Sequence, residues 1–234
     1  YQPKVLQKFV EDSLKRTGLE ALDLIQLHCP PNQVFYRPEI FELFDRLKEQ
    51  GKILNLGVSV EKVEEGLKAI EYSNVTTVQI IINLFRQRPS ELFFKEAQKR
   101  DIGIIARVPL ASGLLTGLFN PQTTFGKEDH RNFNRNGEAF DKGETFSGVD
   151  YRKGLLAVEE LKEIFRGNES LASWAIRWIL MFPQVSTVIP GASKIDQVLS
   201  NVKASNLQEI SSKEMEAVKN IYDKYFKADI HHLW

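Results

Sequence analysis

The sequence predicts an α/β fold built on a parallel sheet. Apolar runs of strand length alternate with segments whose hydrophobic residues recur every three or four positions. The strand-length runs are rich in Val, Ile and Leu, as strands covered on both faces are. Between them stand helices and not the two-residue turns of hairpins, which is how parallel neighbours are joined.

Residues 4 to 17 read as a helix with Val5, Phe9, Val10 and Leu14 on one face, stopped by Gly18 at a C-cap position. LDLIQLH, 22 to 28, reads as a buried strand. Pro38 opens a helix striped by Ile40, Phe41, Phe44 and Leu47, and Gly51 ends it. The strand ILNLGVS, 53 to 59, a helix over about 61 to 72 and the strand VTTVQIII follow. A helix over about 90 to 100 then leads to the strand IGIIARV, 102 to 108. The rhythm breaks over 111 to 150. A loop this long in a compact domain is usually functional or disordered, and its Asp129, His130, Arg131, Arg135 and phenylalanines suit a lid. Helices resume at about 151 to 165 and 169 to 182, the second apolar nearly all round, with Trp174 and Trp178 read as core. VSTVIP, 185 to 190, is a fifth strand. A helix over about 194 to 204 follows, and the final helix opens on a capping box, Ser211 with Glu214.

Composition narrows the function. The chain has 31 basic and 31 acidic residues, so no net field favours nucleic acid or an anionic membrane, and small-molecule partners fit better. Cys29 is the only cysteine, so no internal disulfide forms and the cytoplasm is the expected compartment. No apolar run is long enough to span a bilayer. His231 and His232 are adjacent and no further ligand lies at metal spacing, so no metal site is expected. G-x-S-x-G is absent, and Cys29 beside His28 points to the opposite face of its strand.

A parallel sheet with helices leaves two architectures, a doubly wound open sheet or a (β/α)₈ barrel. Neither G-x-G-x-x-G nor a P-loop occurs. Single polar residues stand at the C-terminal strand ends instead: His28, Ser59, Gln79 and Arg107. Barrel enzymes assemble their sites from such positions on several strands. The expectation is one barrel domain, 1–234, of which five of eight strands are present.

Five motifs in order carry a family resemblance: SLKRTGLEALDLIQLHCPP with its L-x-H-x-P, GKILNLGVSV, VQIIINLFRQR, ARVPLASGLLTG and VIPGASKIDQVLSN. Together they resemble the aldo-keto reductases over essentially the whole chain, beginning at the helix before the family's fourth barrel strand. The resemblance implies a TIM barrel represented by about strands four to eight, NADPH as cofactor, and hydride transfer to a small-molecule aldehyde or ketone. In the family a tyrosine protonates the carbonyl oxygen, helped by an aspartate, a lysine and a histidine. His28 matches the histidine, which would hydrogen-bond the carbonyl oxygen as charge develops. The other reading is a histidine satisfied by a neighbouring carbonyl. The aspartate, tyrosine and lysine have no counterpart in these residues.

Ser59 and Gln79 match the positions that hold the nicotinamide carboxamide, although Val60 stands where the family has asparagine. Arg107 falls where the family places an aromatic residue that stacks on the nicotinamide, with Val108 in place of the common serine. A guanidinium can stack on a ring, and it can equally pair with a carboxylate at the barrel rim. Leu110, Ser112 and Gly113 would offer backbone N–H groups to the diphosphate. Gly191, Ala192, Ser193 and Lys194 open a helix whose free N–H groups favour an anion. Ser193 and Lys194 would take the adenosine 2′-phosphate, with Gln197 and Asn201 near the adenine. The alternative is an NADP-binding protein of this type without catalysis, acting as a sensor or subunit. With three strands and the proton donor missing, the chain alone is expected to be inactive and poorly folded. The tail KADIHHLW is read either as reaching over the barrel mouth or as disordered. The carbonyl substrate and the oligomeric state are not legible.

Overall fold

In the computed structural model, which describes residues 1–234, five strands stand in chain order, β1-β2-β3-β4-β5. They are β1 (Leu22–His28), β2 (Ile53–Val60), β3 (Val75–Ile81), β4 (Gly103–Arg107) and β5 (Val185–Val188). The helices are α1 (Pro3–Thr17), α2 (Pro38–Glu49), α3 (Val63–Ala69), α4 (Phe93–Lys99), α5 (His130–Phe133), α6 (Tyr151–Ile164), α7 (Leu171–Leu180), α8 (Ile195–Ala204), α9 (Ser212–Tyr225) and α10 (Lys227–Ile230). No helix is long and apolar enough to cross a membrane. The chain forms two compact units, Tyr1–Ile80 with Phe93–Ile104 and Ile81–Leu92 with Ile105–Trp234.

In the first unit β1, β2 and β3 pair in parallel. Gly18 takes a left-handed φ of 71° and its N–H returns to the Leu14 carbonyl, which ends α1 at the glycine the sequence marks. The buried face of α1 is Leu6 and Val10; Val5 and Phe9, expected inside, are exposed. They lie beside Tyr1, Gln26, Leu27 and His28 around an open cavity, so the helix turns its inner face one residue away from the expected stripe. Tyr72 stacks on Phe41 at 3.7 Å and donates its hydroxyl to the Phe35 carbonyl, which fixes the end of α3 to α2. A Cβ on Gly66 would stand 3.0 Å from the Phe93 ring, so a residue without one lets α3 approach α4.

In the second unit Ile189 donates to the Ala106 carbonyl at 3.0 Å, joining the end of β5 to β4. Ser211 caps α9 and Glu214 closes the capping box, as the sequence predicts. α9 is held to α6 by Lys224 and Tyr225, both bonded to Glu160 at 2.6 Å. Trp178 is buried, and Trp174, nearly so, stacks on Phe165 at 5.4 Å. The C-terminal tail is ordered. The Trp234 carbonyl accepts from Arg88, its indole N–H donates to Asp141, and Arg86 lies 4.5 Å from its ring centre. α8 leaves Ile195, Val198, Leu199 and Val202, one helical stripe, exposed.

Candidate active site and cofactor site

The parallel register sets three of the expected residues in one row. His28 is the ladder partner of Ser59, and Ser59 is the partner of Gln79. Ladder partners in a parallel sheet point to the same face, so the three side chains share one face near the C-terminal ends of β1, β2 and β3. His28 is exposed and Ser59 fully buried. The Ser59 hydroxyl lies 3.5 Å from the Cys29 thiol, and Gln79 donates to Gln26 Oε1 at 3.0 Å. One layer down the partners are Gln26, Gly57 and Thr77. A Cβ on Gly57 would overlap the Thr77 hydroxyl, so the glycine makes room beneath the row.

The phosphate candidates gather in the second unit. Val108, Leu110, Ser112, Gly113, Gly191, Ala192, Ser193 and Gln197 line one cavity of about 580 Å³. Lys194 and Asn201 lie outside its lining, although Lys194 is the residue before α8 and exposed. The chain over this cavity is wound left-handed at Val108, Ala111, Ser112 and Gly113, with φ of 53°, 46°, 53° and 98°. A β-branched residue at positive φ is strained, and Asn83, fully buried, holds Val108 there by donating to its carbonyl at 2.9 Å.

Several of these candidates already have partners within the chain. The Gly113 N–H donates to the Leu110 carbonyl at 2.9 Å, so it is not a free donor for an anion. Ser112 is a clasp: its hydroxyl donates to the Glu144 carbonyl and accepts from the Phe146 N–H, both at 3.0 Å. At the start of α8 the N–H groups are closed, because Gln197 Oε1 accepts from Ser193 N at 2.7 Å, Ser193 Oγ at 3.2 Å and Lys194 N at 3.1 Å. An amide oxygen there stands in for an anion. Arg107 has the carboxylate pairing that the sequence left open beside ring stacking: it is 5% exposed and pairs with Glu144.

The cavity also takes Pro109, Thr116, His130, Arg131, Glu144 and Ile189. Of these, Pro109, Thr116 and Ile189 stand in the motifs quoted above and His130, Arg131 and Glu144 in the loop read as a lid, with no ligand assigned to any of them. Asp129 caps α5, accepting from Arg131 N at 2.9 Å, while the Arg131 guanidinium grips the same carboxylate. These bonds from Arg131 hold the Asp129 carboxyl down at about 2. A folded-state pKa below the free value contributes stability that is full above about pH 4 and lost as pH falls toward 2. The site is partly open to solvent, so the contribution is about 1 kcal/mol. The amide protection factors over 128–133, corrected for intrinsic exchange, are therefore expected to fall between pH 4 and 2, and Asp129→Asn should remove that pH dependence. Identical profiles for the two proteins would reject the assignment.

Comparison with known proteins decides the family. The family model described as "Aldo/keto reductase family" matches residues 1–223. The chain belongs to the aldo/keto reductase family. It is 27% identical over 215 residues to an uncharacterized oxidoreductase of Bacillus subtilis, covering 92% of this chain and 65% of that protein. It is 27% identical over 221 residues to the L-glyceraldehyde 3-phosphate reductase of Escherichia coli, covering 92% and 62%. Among solved structures it is similar to the glycerol dehydrogenase of Gluconobacter oxydans, at 32% identity and a TM-score of 0.76, covering 96% of this chain and 65% of that one. The chain thus spans less than two thirds of the length of these relatives. The α/β fold with its five parallel strands matches such aldo/keto reductase structures. Its assignment to strands four to eight is not supported: five strands and a family match over 1–223 carry no strand numbers.

Proposed function

We propose that the chain supplies the cofactor site and the carbonyl-orienting histidine of an NADPH-dependent oxidoreductase that reduces a small aldehyde or ketone. The observation that carries this reading is the row His28, Ser59, Gln79 across three adjacent strands. An imidazole can donate to a carbonyl oxygen and stabilise the charge that develops on it. A serine hydroxyl and a glutamine amide beside it offer the donor and acceptor that pin a carboxamide. A reduced nicotinamide, when bound, supplies the hydride. Gln79 would exchange its bond to Gln26 for the carboxamide, and Ser59 its contact with Cys29.

The donor set fits the phosphate end of such a cofactor. Ser193 N, Ser193 Oγ and Lys194 N already converge on one oxygen, that of Gln197, and Arg131 lines the same cavity. A phosphate that displaces the Gln197 oxygen inherits those donors, with the α8 N-terminus behind them. Gln197 is then freed toward the adenine, and Lys194 adds the charge that distinguishes a 2′-phosphate from a hydroxyl. Titration with NADPH and NADH, followed by nicotinamide fluorescence, tests the reading. NADPH is expected to bind more tightly, with Lys194→Ala losing most of the preference. An equal fall in affinity for both cofactors would refute the role of Lys194.

A second reading, a non-catalytic NADP-binding member of the family, is favoured by one observation. Tyr1, which shares a cavity with His28, donates its hydroxyl to the His28 backbone carbonyl, and burial raises its pKa.

A further inference from the structure

We propose that a second cavity, separate from the cofactor cavity, binds a small organic carboxylate with an apolar body. It lies within the second unit, has a volume of about 420 Å³, and is walled by Arg135, Lys142, Tyr151, Phe226, Ile230 and Leu233. That volume falls in the range of small-molecule pockets, which combine apolar walls with a few polar groups that fix orientation. None of these six residues lines the cofactor cavity.

The charge distribution selects the ligand. Arg135 is half-buried, and its guanidinium rests against the rings of Phe146 at 4.9 Å, Tyr151 at 5.0 Å and Phe125 at 5.6 Å. Its Nε donates to the Arg131 carbonyl at 2.8 Å, and neither Arg135 nor Lys142 forms an ion pair. The aromatic stack fixes the plane of the guanidinium while leaving the two Nη groups for a ligand, and a planar fork of this kind matches a carboxylate. Asp150 and Asp229 also line the cavity, and these two acids and the neighbouring Glu138 are engaged. Asp150 caps α6 by accepting from Lys153 N at 2.9 Å, Asp229 pairs with Lys153 Nζ, and Glu138 accepts twice from Asn136 at 2.8 Å. Two unpaired cations over a floor of Phe226, Ile230 and Leu233 therefore favour an anion that carries a ring or short chain.

The walls join parts far apart in sequence. Arg135 and Lys142 come from the long loop, Tyr151 opens α6, and Phe226 to Leu233 belong to the tail that Trp234 anchors. A ligand here would bind the loop to the tail, and loop ordering would follow occupancy.

The test is a titration of the protein with benzoate at fixed ionic strength, followed by NMR shifts of residues in 135–151 and 226–233. Saturable binding is expected, at least about tenfold tighter than for benzyl alcohol, which has the ring without the charge. Arg135→Gln should weaken benzoate binding by about tenfold or more. Leu233→Trp, which fills the floor and leaves the cations in place, should also weaken it, and a thermal melt of each variant reports that it is folded. NADPH affinity should be unchanged in both. Absence of saturable benzoate shifts, equal binding of benzyl alcohol, or full benzoate affinity in Leu233→Trp would overturn the proposal, even if Arg135→Gln failed to fold.

Discussion

Residues 1–234, purified alone, are expected to oxidise NADPH with a reactive aldehyde no faster than the protein-free background. Hydride transfer to a carbonyl needs a proton for the oxygen, and a positioned general acid is worth about 10²–10⁴ in rate. A tyrosine serves near neutral pH only when a neighbouring cation lowers its pKa. Three of the tyrosines run the other way. Burial raises the hydroxyls of Tyr1, Tyr72 and Tyr222, and Tyr222 is further tied to His231 Nδ1 at 2.8 Å. Tyr151 donates to the Asn120 carbonyl and Tyr225 to Glu160. Tyr1 comes nearest to the row, with its hydroxyl 3.3 Å from the His28 carbonyl, but its partner is backbone and its pKa is raised. Tyr36 is exposed, and the Lys68 ammonium over its ring is already bonded to Glu71. NADPH consumption with aldehyde that disappears in His28→Ala would show that some group in this chain does supply the proton, and would sink the expectation. Cofactor binding without turnover would favour the non-catalytic reading.

The sequence revealed what depends on period and spacing. Strand-length runs placed β1, β2 and β3 closely enough that His28, Ser59 and Gln79 fall in one register. Gly18 and Ser211 marked helix ends because capping is local chemistry. What remained hidden depends on partners distant in sequence. Arg107 stood between two readings because its carboxylate, Glu144, lies in the long loop with no periodic pattern. The clasp made by the Ser112 hydroxyl is hidden in the same way, since nothing local shows that it would reach residues 144 and 146. The tail was undecidable for the same reason: Arg86, Arg88 and Asp141, which hold Trp234, come from two separate loops. Gln197 was given to the adenine, yet its position three residues after Lys194 is the N3 position from which a side chain reaches back to the helix start.

Trp178→Ala is expected to destabilise the protein by about 3–5 kcal/mol, the range for truncating a buried aromatic residue. Trp178 sits on α7, whose Leu171, Trp174, Ala175, Ile176 and Ile179 are also buried, so the helix has few exposed positions toward which its neighbours could relax. Its ring meets Phe182 edge-on at 4.9 Å, and the indole would leave a large void in a region packed on several sides. The size of the effect comes from the cavity and not from a hydrogen bond, because the indole N–H is buried and has no partner. An unsatisfied buried donor is itself a cost. Trp178→Phe therefore separates the two terms: it keeps most of the ring, removes the unpaired donor and should lose much less stability than the alanine variant. For a chain of this size each kcal/mol moves the melting temperature by about 2–4 °C. The alanine variant should thus melt roughly 6–20 °C lower, with the phenylalanine variant between it and the parent. Equal losses for Phe and Ala would place the stabilisation in the indole nitrogen, and would mean that Trp178 has a polar partner which this packing does not contain.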